Sequence, residues 1–412
     1  MLSNSEQTYD CLYLVLYNSR RLTPAGKDEF HWARGTLQRT LGDNFIQKAA
    51  EAPSRHPIFD LGLGLAYDLP QTYANLFRLA AEIELLQSKE GWSIVHDSLR
   101  RDFQGKSWGS SLLQLEVAGL GLKAGWHIEL ERSLPNGGKT DVVLAKESTK
   151  ILVETKAMFL SGPEQESEAY FCYMTEILLA LAWKYGVRIT SDNIGSPLSS
   201  NAQTQWIEVI KETASKTEQD GETRIVQGTG GGQLKITKET TMPGISPLAS
   251  SPVETDVGRR LFFLLRDKNK QYEGAGPAWV CLGDYGGLWQ SSSLQGKSLS
   301  EKLDILTPYL QARLAFFPNL AGVIVSPGKG AAGNYPIEPL NTPIERNGGI
   351  AIKCLMPERN QIREGIIVTQ VGKFTKQAQN FAGLYQQESS WLDWALKKLE
   401  KPSFGELVHH SN

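Results

Sequence analysis

The chain is poor in the residues that staple small folds. Its 412 residues hold four cysteines (Cys11, Cys172, Cys281 and Cys354), widely separated and without a CxxC pair, and six histidines without ligand spacing. Zinc-site spacing is absent, and a disulfide framework would be unnecessary in so large a chain. Long apolar runs are missing as well. CLYLVLY at 11–17 is far shorter than a bilayer span or a signal core and reads instead as a buried strand. There is little excess charge: 43 Lys and Arg against 45 Asp and Glu leave −2. That balance argues against a histone-like, tail-driven nucleic-acid binder and leaves a local basic groove open. No G-x-S-x-G elbow is present, and SPGKGAAG at 326–333 lacks both the P-loop spacing and the hydroxyl after its lysine. GTGGG at 228–232 has no helix after it and reads as a turn. What remains is a cytoplasmic, reduced globular chain, 41% hydrophobic with ten Trp, long enough for two or three units.

Periodicity places the elements. Helical patterns run over 23–50 and 69–90, with Gly91 as the stop, and over 108–123, ending at Gly125. The period then changes to two: WHIELERS (126–133), TDVVLAKE (140–147) and ILVETKAM (151–158) read as successive strands joined by LPNGG and ESTK. Helices follow at 164–185 and 202–219, then the strand RIVQG and a Thr-, Ser- and Pro-rich loop over 237–256 that suits a linker. A helix (255–272), strand (278–283), helix (299–316) and strand (321–326) alternate beyond it, which suggests parallel sheet members with helices on their faces. A terminal amphipathic helix covers 376–400.

The hairpin 140–158 carries the chemistry. Residues two apart share a strand face, so Glu154 and Lys156 point the same way. A turn centred between Ser148 and Thr149 sets Asp141 across from Lys156 and Val143 across from Glu154, which gathers Asp141, Glu154 and Lys156 on one face. Carboxylates are the ligands that Mg²⁺ prefers, and a nearby lysine can orient a metal-bound water or offset charge on a transferring phosphoryl group. Upstream, Glu116 lies within the apolar stripe of Leu112, Leu113 and Leu120. There an ionised carboxylate needs a cation, a metal or a lysine, unless it sits at the stripe's edge. The plain alternative for the whole set is a surface hairpin whose solvent face carries charges.

A helix bearing Glu116, a strand, Asp141 opening the next strand and Glu154-Thr155-Lys156 on a third resemble the PD-(D/E)XK, or restriction-endonuclease-like, superfamily over about 107–185. The resemblance implies an α/β fold, a mixed sheet flanked by helices, Mg²⁺ or Mn²⁺ dependence and phosphodiester hydrolysis of nucleic acid, DNA first. It implies Asp141 and Glu154 as metal ligands with the Thr155 backbone carbonyl, Lys156 as catalytic lysine, and Glu116 as the helix carboxylate, in contact with the metal through water. Thr140 stands where the motif's proline would be.

On this reading 1–106 is a mainly helical N-terminal region, 107–290 the nuclease-like core and 291–412 a C-terminal α/β extension. Arg259, Arg260, Arg266, Lys268 and Lys270 form a basic stretch suited to a phosphate backbone or to a solvated helix face, with Gln271 beside it. The competing function is a catalytically silent scaffold of the same fold that binds nucleic acid or a protein partner. A small-molecule sensor in the C-terminal part has only the sheet pattern behind it. A homodimer or a protein partner is compatible with the sequence; a membrane is not expected.

Overall fold

The computed structural model describes residues 19, 21–50, 58, 70–103, 105, 107–158, 162–228, 230–239, 243–248, 257–284, 288, 294, 297–327, 344–356, 361–385 and 391–409. In chain order the helices and strands are α1 (Pro24–Leu41), α2 (Phe45–Ala50), α3 (Pro70–Leu86), α4 (Trp92–Arg101), α5 (Trp108–Lys123), β1 (His127–Ser133), β2 (Lys139–Lys146) and β3 (Thr149–Met158). Then come α6 (Gly162–Lys184), β4 (Val187–Asn193), α7 (Ser200–Asp220), β5 (Arg224–Gln227), β6 (Gln233–Lys238) and β7 (Gly244–Leu248). The last part holds α8 (Val257–Gln271), β8 (Ala278–Asp284), α9 (Leu299–Leu314), β9 (Leu320–Pro327), β10 (Ile344–Arg346), β11 (Gly349–Met356), β12 (Gln361–Thr369), α10 (Thr375–Tyr385), α11 (Trp391–Lys398) and α12 (Phe404–Leu407).

The chain is mixed α/β, and it divides differently from the three consecutive pieces expected. One unit joins Met1–Phe159 to Gly258–Asn412; the other is the stretch Leu160–Val257, inserted between β3 and α8. The reason is packing. A single apolar cluster links Phe30 and Phe77 of the N-terminal helices with Trp108, Val153 and Trp279, and with Ile367, Phe381 and Phe404 near the other end. The N-terminal helices and the C-terminal extension therefore share one core with the hairpin strands. The Leu22–Val408 bridge and the Thr23 hydroxyl, which donates to the Glu406 carbonyl at 2.7 Å, tie the two ends of this unit together.

The first unit is built on an eight-stranded sheet in the order β1-β2-β3-β8-β9-β12-β11-β10. β3, β8 and β9 are parallel, and the flanking pairs are antiparallel. The central strands read AWVCLGD and LAGVIVSP, near-continuous apolar runs, as expected of parallel strands covered on both faces. Helix α5 is apolar around most of its circumference and is buried accordingly. Its Gly119 and Gly121 let neighbours come close: a Cβ would lie 2.9 Å from the Trp391 ring at the first and 2.7 Å from Ile128 and Leu144 at the second.

In the second unit a four-stranded sheet, β5-β6-β4-β7, packs with α6 and α7 around Met174, Leu178, Ile189, Trp206 and Ile236. Part of the stretch expected as loop over 237–256 is strand: β7 pairs in parallel with β4. Three further expectations change. The pattern over 23–50 breaks at Gly42, whose φ of 94° ends α1. Gly91 opens α4 instead of closing the preceding helix. The terminal pattern over 376–400 is two helices, α10 and α11. The run at 11–17 and most of 326–333 lie outside the described residues.

Candidate functional site

The site is built where a hairpin opens. The β2–β3 ladder runs from Lys146↔Thr149 to Val142↔Val153, across a two-residue turn at Glu147 and Ser148 with Glu147 at φ 55°. This register differs by two residues from the one expected, which placed Asp141 opposite Lys156; a tighter turn centres the hairpin one residue earlier. Beyond Val142 side chains take over from the backbone. The Thr155 N–H and hydroxyl both donate to Asp141 Oδ2, at 2.7 and 2.8 Å. The Thr140 hydroxyl donates to the Val153 carbonyl at 3.1 Å. On the other edge, the β1–β2 pairing steps from Leu130↔Val142 to Arg132↔Thr140, and the skipped Glu131 has a φ of 49°. A kinked β1 and a splayed β2 thus hold this end of the hairpin apart. Thr140, the departure from the motif's proline, supplies a hydroxyl that proline would not have.

Two helices fill the opening from different sides. From α5, the Gln114 amide donates to the Asp141 carbonyl at 2.8 Å and to Glu131 at 2.9 Å. The Ser110 hydroxyl of the same helix accepts from the Ala157 N–H, and the Ser110 carbonyl lies 3.2 Å from the Thr155 hydroxyl. From α8, Lys268 forms an ion pair with Glu154 Oε1. Gln271 donates to Glu154 Oε2 at 3.1 Å, and the Tyr272 hydroxyl lies 2.9 Å from the same oxygen and 2.8 Å from the Thr140 hydroxyl. β3 explains the division: Ile151 and Val153 join the core that includes α5, whereas Leu152 packs with Tyr272 and Ala278. Glu154 continues the Leu152 side.

Burial makes this polar centre costly. It pushes the Glu154 carboxyl up to about 7, helped by the negative charge of Asp141 and opposed by Lys268 and the Tyr272 hydroxyl. Asp141 is also raised by burial, against the pull of its Thr155 bonds and of Lys268 and Lys156. Glu131 is raised by burial and then by Asp141. Asp141 and Glu154 therefore have separate hydrogen-bond partners, yet Glu154 feels the charge of Asp141.

The other expected residues fall as follows. Lys156 is exposed, within electrostatic reach of Asp141. Glu116 meets Arg78 of α3 at 3.9 Å, and Arg78 also bonds Glu82 at 2.9 Å. At 100° per residue Glu116 is about 200° around α5 from Gln114. The α5 side chain that reaches the Asp141 strand is thus Gln114, and the cation that Glu116 needs is an arginine. The basic stretch of α8 divides. Leu261, Leu265 and Tyr272 make a buried stripe at i, i+4 and i+11, and Lys268 at i+7 falls on it. Arg259, Phe263, Arg266 and Lys270 make the exposed stripe, with Arg266 bonded to Asp267 at 3.0 Å and 4.7 Å from the Phe263 ring centroid. Arg260 is half-buried near the start of the helix. Lys268, expected with the surface cations, belongs to Glu154, and the α8 stripe is the sequence signal that could have placed it there.

The donor set suits a hard cation better than a zinc ion. Among the described residues no group of three or more His, Cys, Asp and Glu side chains gathers as a metal site. Mg²⁺ asks for less, one or two carboxylates with several waters retained. Both bonds from Thr155 to Asp141 use Oδ2, and Thr155, whose N–H turns toward Asp141, carries its carbonyl on that same edge of β3. Two buried carboxylates, both raised by burial, and a strand carbonyl are oxygen donors of the kind such an ion uses.

No protein-family model matches the chain, and neither the curated proteins nor the solved structures compared with it yield a match. Among the described residues no helix is long and apolar enough to cross a membrane.

Proposed function

We propose that the chain belongs to the metal-dependent nuclease class with a restriction-endonuclease-like core. Within that class we read it as a Mg²⁺- or Mn²⁺-dependent phosphodiesterase acting on nucleic acid, most directly DNA. The observation that carries the reading is the opened end of the β2–β3 hairpin, where burial raises both Asp141 and Glu154 next to the Thr155 backbone and the Asp141 charge raises Glu154 further. A purely structural hairpin has no use for that cost. The order helix, three antiparallel strands and a parallel neighbour for β3 supports the same class.

In this mechanism Asp141, Glu154 and the Thr155 carbonyl would hold the cation, which would supply polarisation of a phosphoryl oxygen and a lowered pKa for water. The chain's own residues do the rest. The Thr155 hydroxyl and N–H fix the Asp141 carboxylate through Oδ2, and among the described residues no hydrogen bond engages its other oxygen. Gln114 locks the backbone of Asp141, and Ser110 locks β3 at Ala157. Lys156, exposed beside this centre, orients the attacking water or offsets charge on the transferring phosphoryl group. The exposed basic stripe of α8 contributes contacts to the phosphate backbone.

The silent-scaffold reading has one observation in its favour: Lys268, Gln271 and Tyr272 already satisfy Glu154. Incubation with plasmid, single-stranded DNA and RNA, each with Mg²⁺, Mn²⁺ or EDTA, separates the two. Cleavage that depends on metal and is lost in EDTA supports the nuclease; binding without cleavage under every condition leaves the scaffold.

A further inference from the structure

We infer that Lys268 is the resident cation of this site, the group that a divalent ion must displace from Glu154. The inference rests on the nuclease reading and adds what sets the site's affinity for its metal. A carboxylate as buried as Glu154 cannot stay charged without a partner, and the structure supplies one from α8. That partner is suited to exchange. The Lys268 side chain is 21% exposed where Glu154 is 5%, so its end of the pair opens toward solvent. Its ammonium is a point charge on a flexible stem, and Gln271 Oε1 at 2.9 Å offers it a second acceptor once the carboxylate is given up. Gln271 and Tyr272 keep their own bonds to Glu154 Oε2, so the carboxylate holds its place while Oε1 changes cations. Lys156 does not compete in this way, being exposed and two residues along β3.

Metal and ammonium that exclude one another from a single oxygen are coupled, and couplings of this kind are on the order of tenfold in affinity. Lys268→Met should therefore bind Mn²⁺ about tenfold more tightly than wild type by calorimetric titration while melting lower in EDTA. Lys270→Met, which removes an exposed charge from the same helix, should leave Mn²⁺ affinity within about twofold of wild type, as expected of a screened charge. Amine labelling of the wild-type protein gives a test without any variant. Lys268 should resist acylation in EDTA and become reactive on adding Mg²⁺, read by mass spectrometry. If wild type binds Mn²⁺ but Lys268→Met binds it no better and labelling does not change, the inference fails and the nuclease reading stands. If wild type binds neither Mn²⁺ nor Mg²⁺, both fail. Should Lys268→Met not fold, the labelling result decides alone.

Discussion

The two units of this chain bury different things. In the unit formed by residues 160–257, the buried polar groups among the described residues are Ser191 and Thr217, and the ion pairs, such as Arg224 with Asp220, lie at its surface. The larger unit buries Arg78, Glu82, Glu154 and Lys302. Polar burial of that kind costs stability unless every group is matched, and replacement of such groups by apolar side chains is often neutral or favourable. The smaller unit carries a fold that apolar packing alone accounts for. The larger one keeps, at the opened hairpin, a buried polar centre that packing alone would discard, and on the nuclease reading proposed above that contrast marks the site.

Variants should deepen this contrast or erase it. The largest effect belongs to Asp141→Ala and Glu154→Ala, each of which should lower metal-dependent cleavage by about 10³-fold or more with the fold intact, in a gel assay on purified protein. Lys156→Ala should fall in the same range. Glu116→Ala should cost less cleavage and more stability, because its removal leaves the buried Arg78 with one carboxylate fewer.

Next in size is a pH dependence. In the folded chain Glu154 holds its proton up to about 7, whereas its ordinary value is 4.5. The folded state thus binds more protons in that window, so this group's contribution is present in full below 4.5 and lost as pH rises through 7. The loss is on the order of 3 kcal/mol in metal-free buffer, taking 1.36 kcal/mol per pKa unit. Glu154→Gln should flatten that slope in urea melts between pH 4.5 and 8. An unchanged slope would place the titration elsewhere.

Smaller still is the outer stripe of α8. Replacing Arg259, Arg266 and Lys270 by Ala should weaken binding to nucleic acid uniformly across sequences. It should also reduce the slope of log affinity against log salt by about 1 for each phosphate that is no longer neutralised. Least of all, Arg224→Ala in the inserted unit should leave the melting temperature within about 2 °C of wild type, since exposed pairs are screened and mobile. A larger drop there would mean that the smaller unit too depends on its charges.

Much of the hairpin is legible from pattern alone, because β1 alternates, β2 and β3 are short apolar runs bounded by turn residues, and Gly125 closes α5. Its register is not. Deciding between turns centred one residue apart, which shifts the pairing by two residues, needs the left-handed Glu147, which composition does not announce. The helix periodicity of α8 is visible, yet sorting by charge groups Lys268 with the surface cations and passes over its position on the Leu261–Leu265–Tyr272 stripe. Gln114 is missed for the opposite reason: an amide inside an apolar helix carries no charge to draw attention, and only the neighbouring strand shows what it bonds. The division into units is hidden because the site's core draws on both ends of the chain. Sequence pattern does not report that residues such as Phe77 and Phe404 meet, with ring centroids 6.4 Å apart.

The claim that the opened hairpin holds a divalent cation is tested most directly by thermal melts of wild type and Asp141→Asn, each in EDTA and in Mn²⁺. Without metal, the variant relieves the repulsion between Asp141 and Glu154 at nearly constant shape and should melt higher than wild type. With Mn²⁺, binding to the native state should stabilise wild type far more than the variant and reverse their order. If the order is the same in both conditions, or Mn²⁺ moves neither protein, Asp141 and Glu154 are not a metal site.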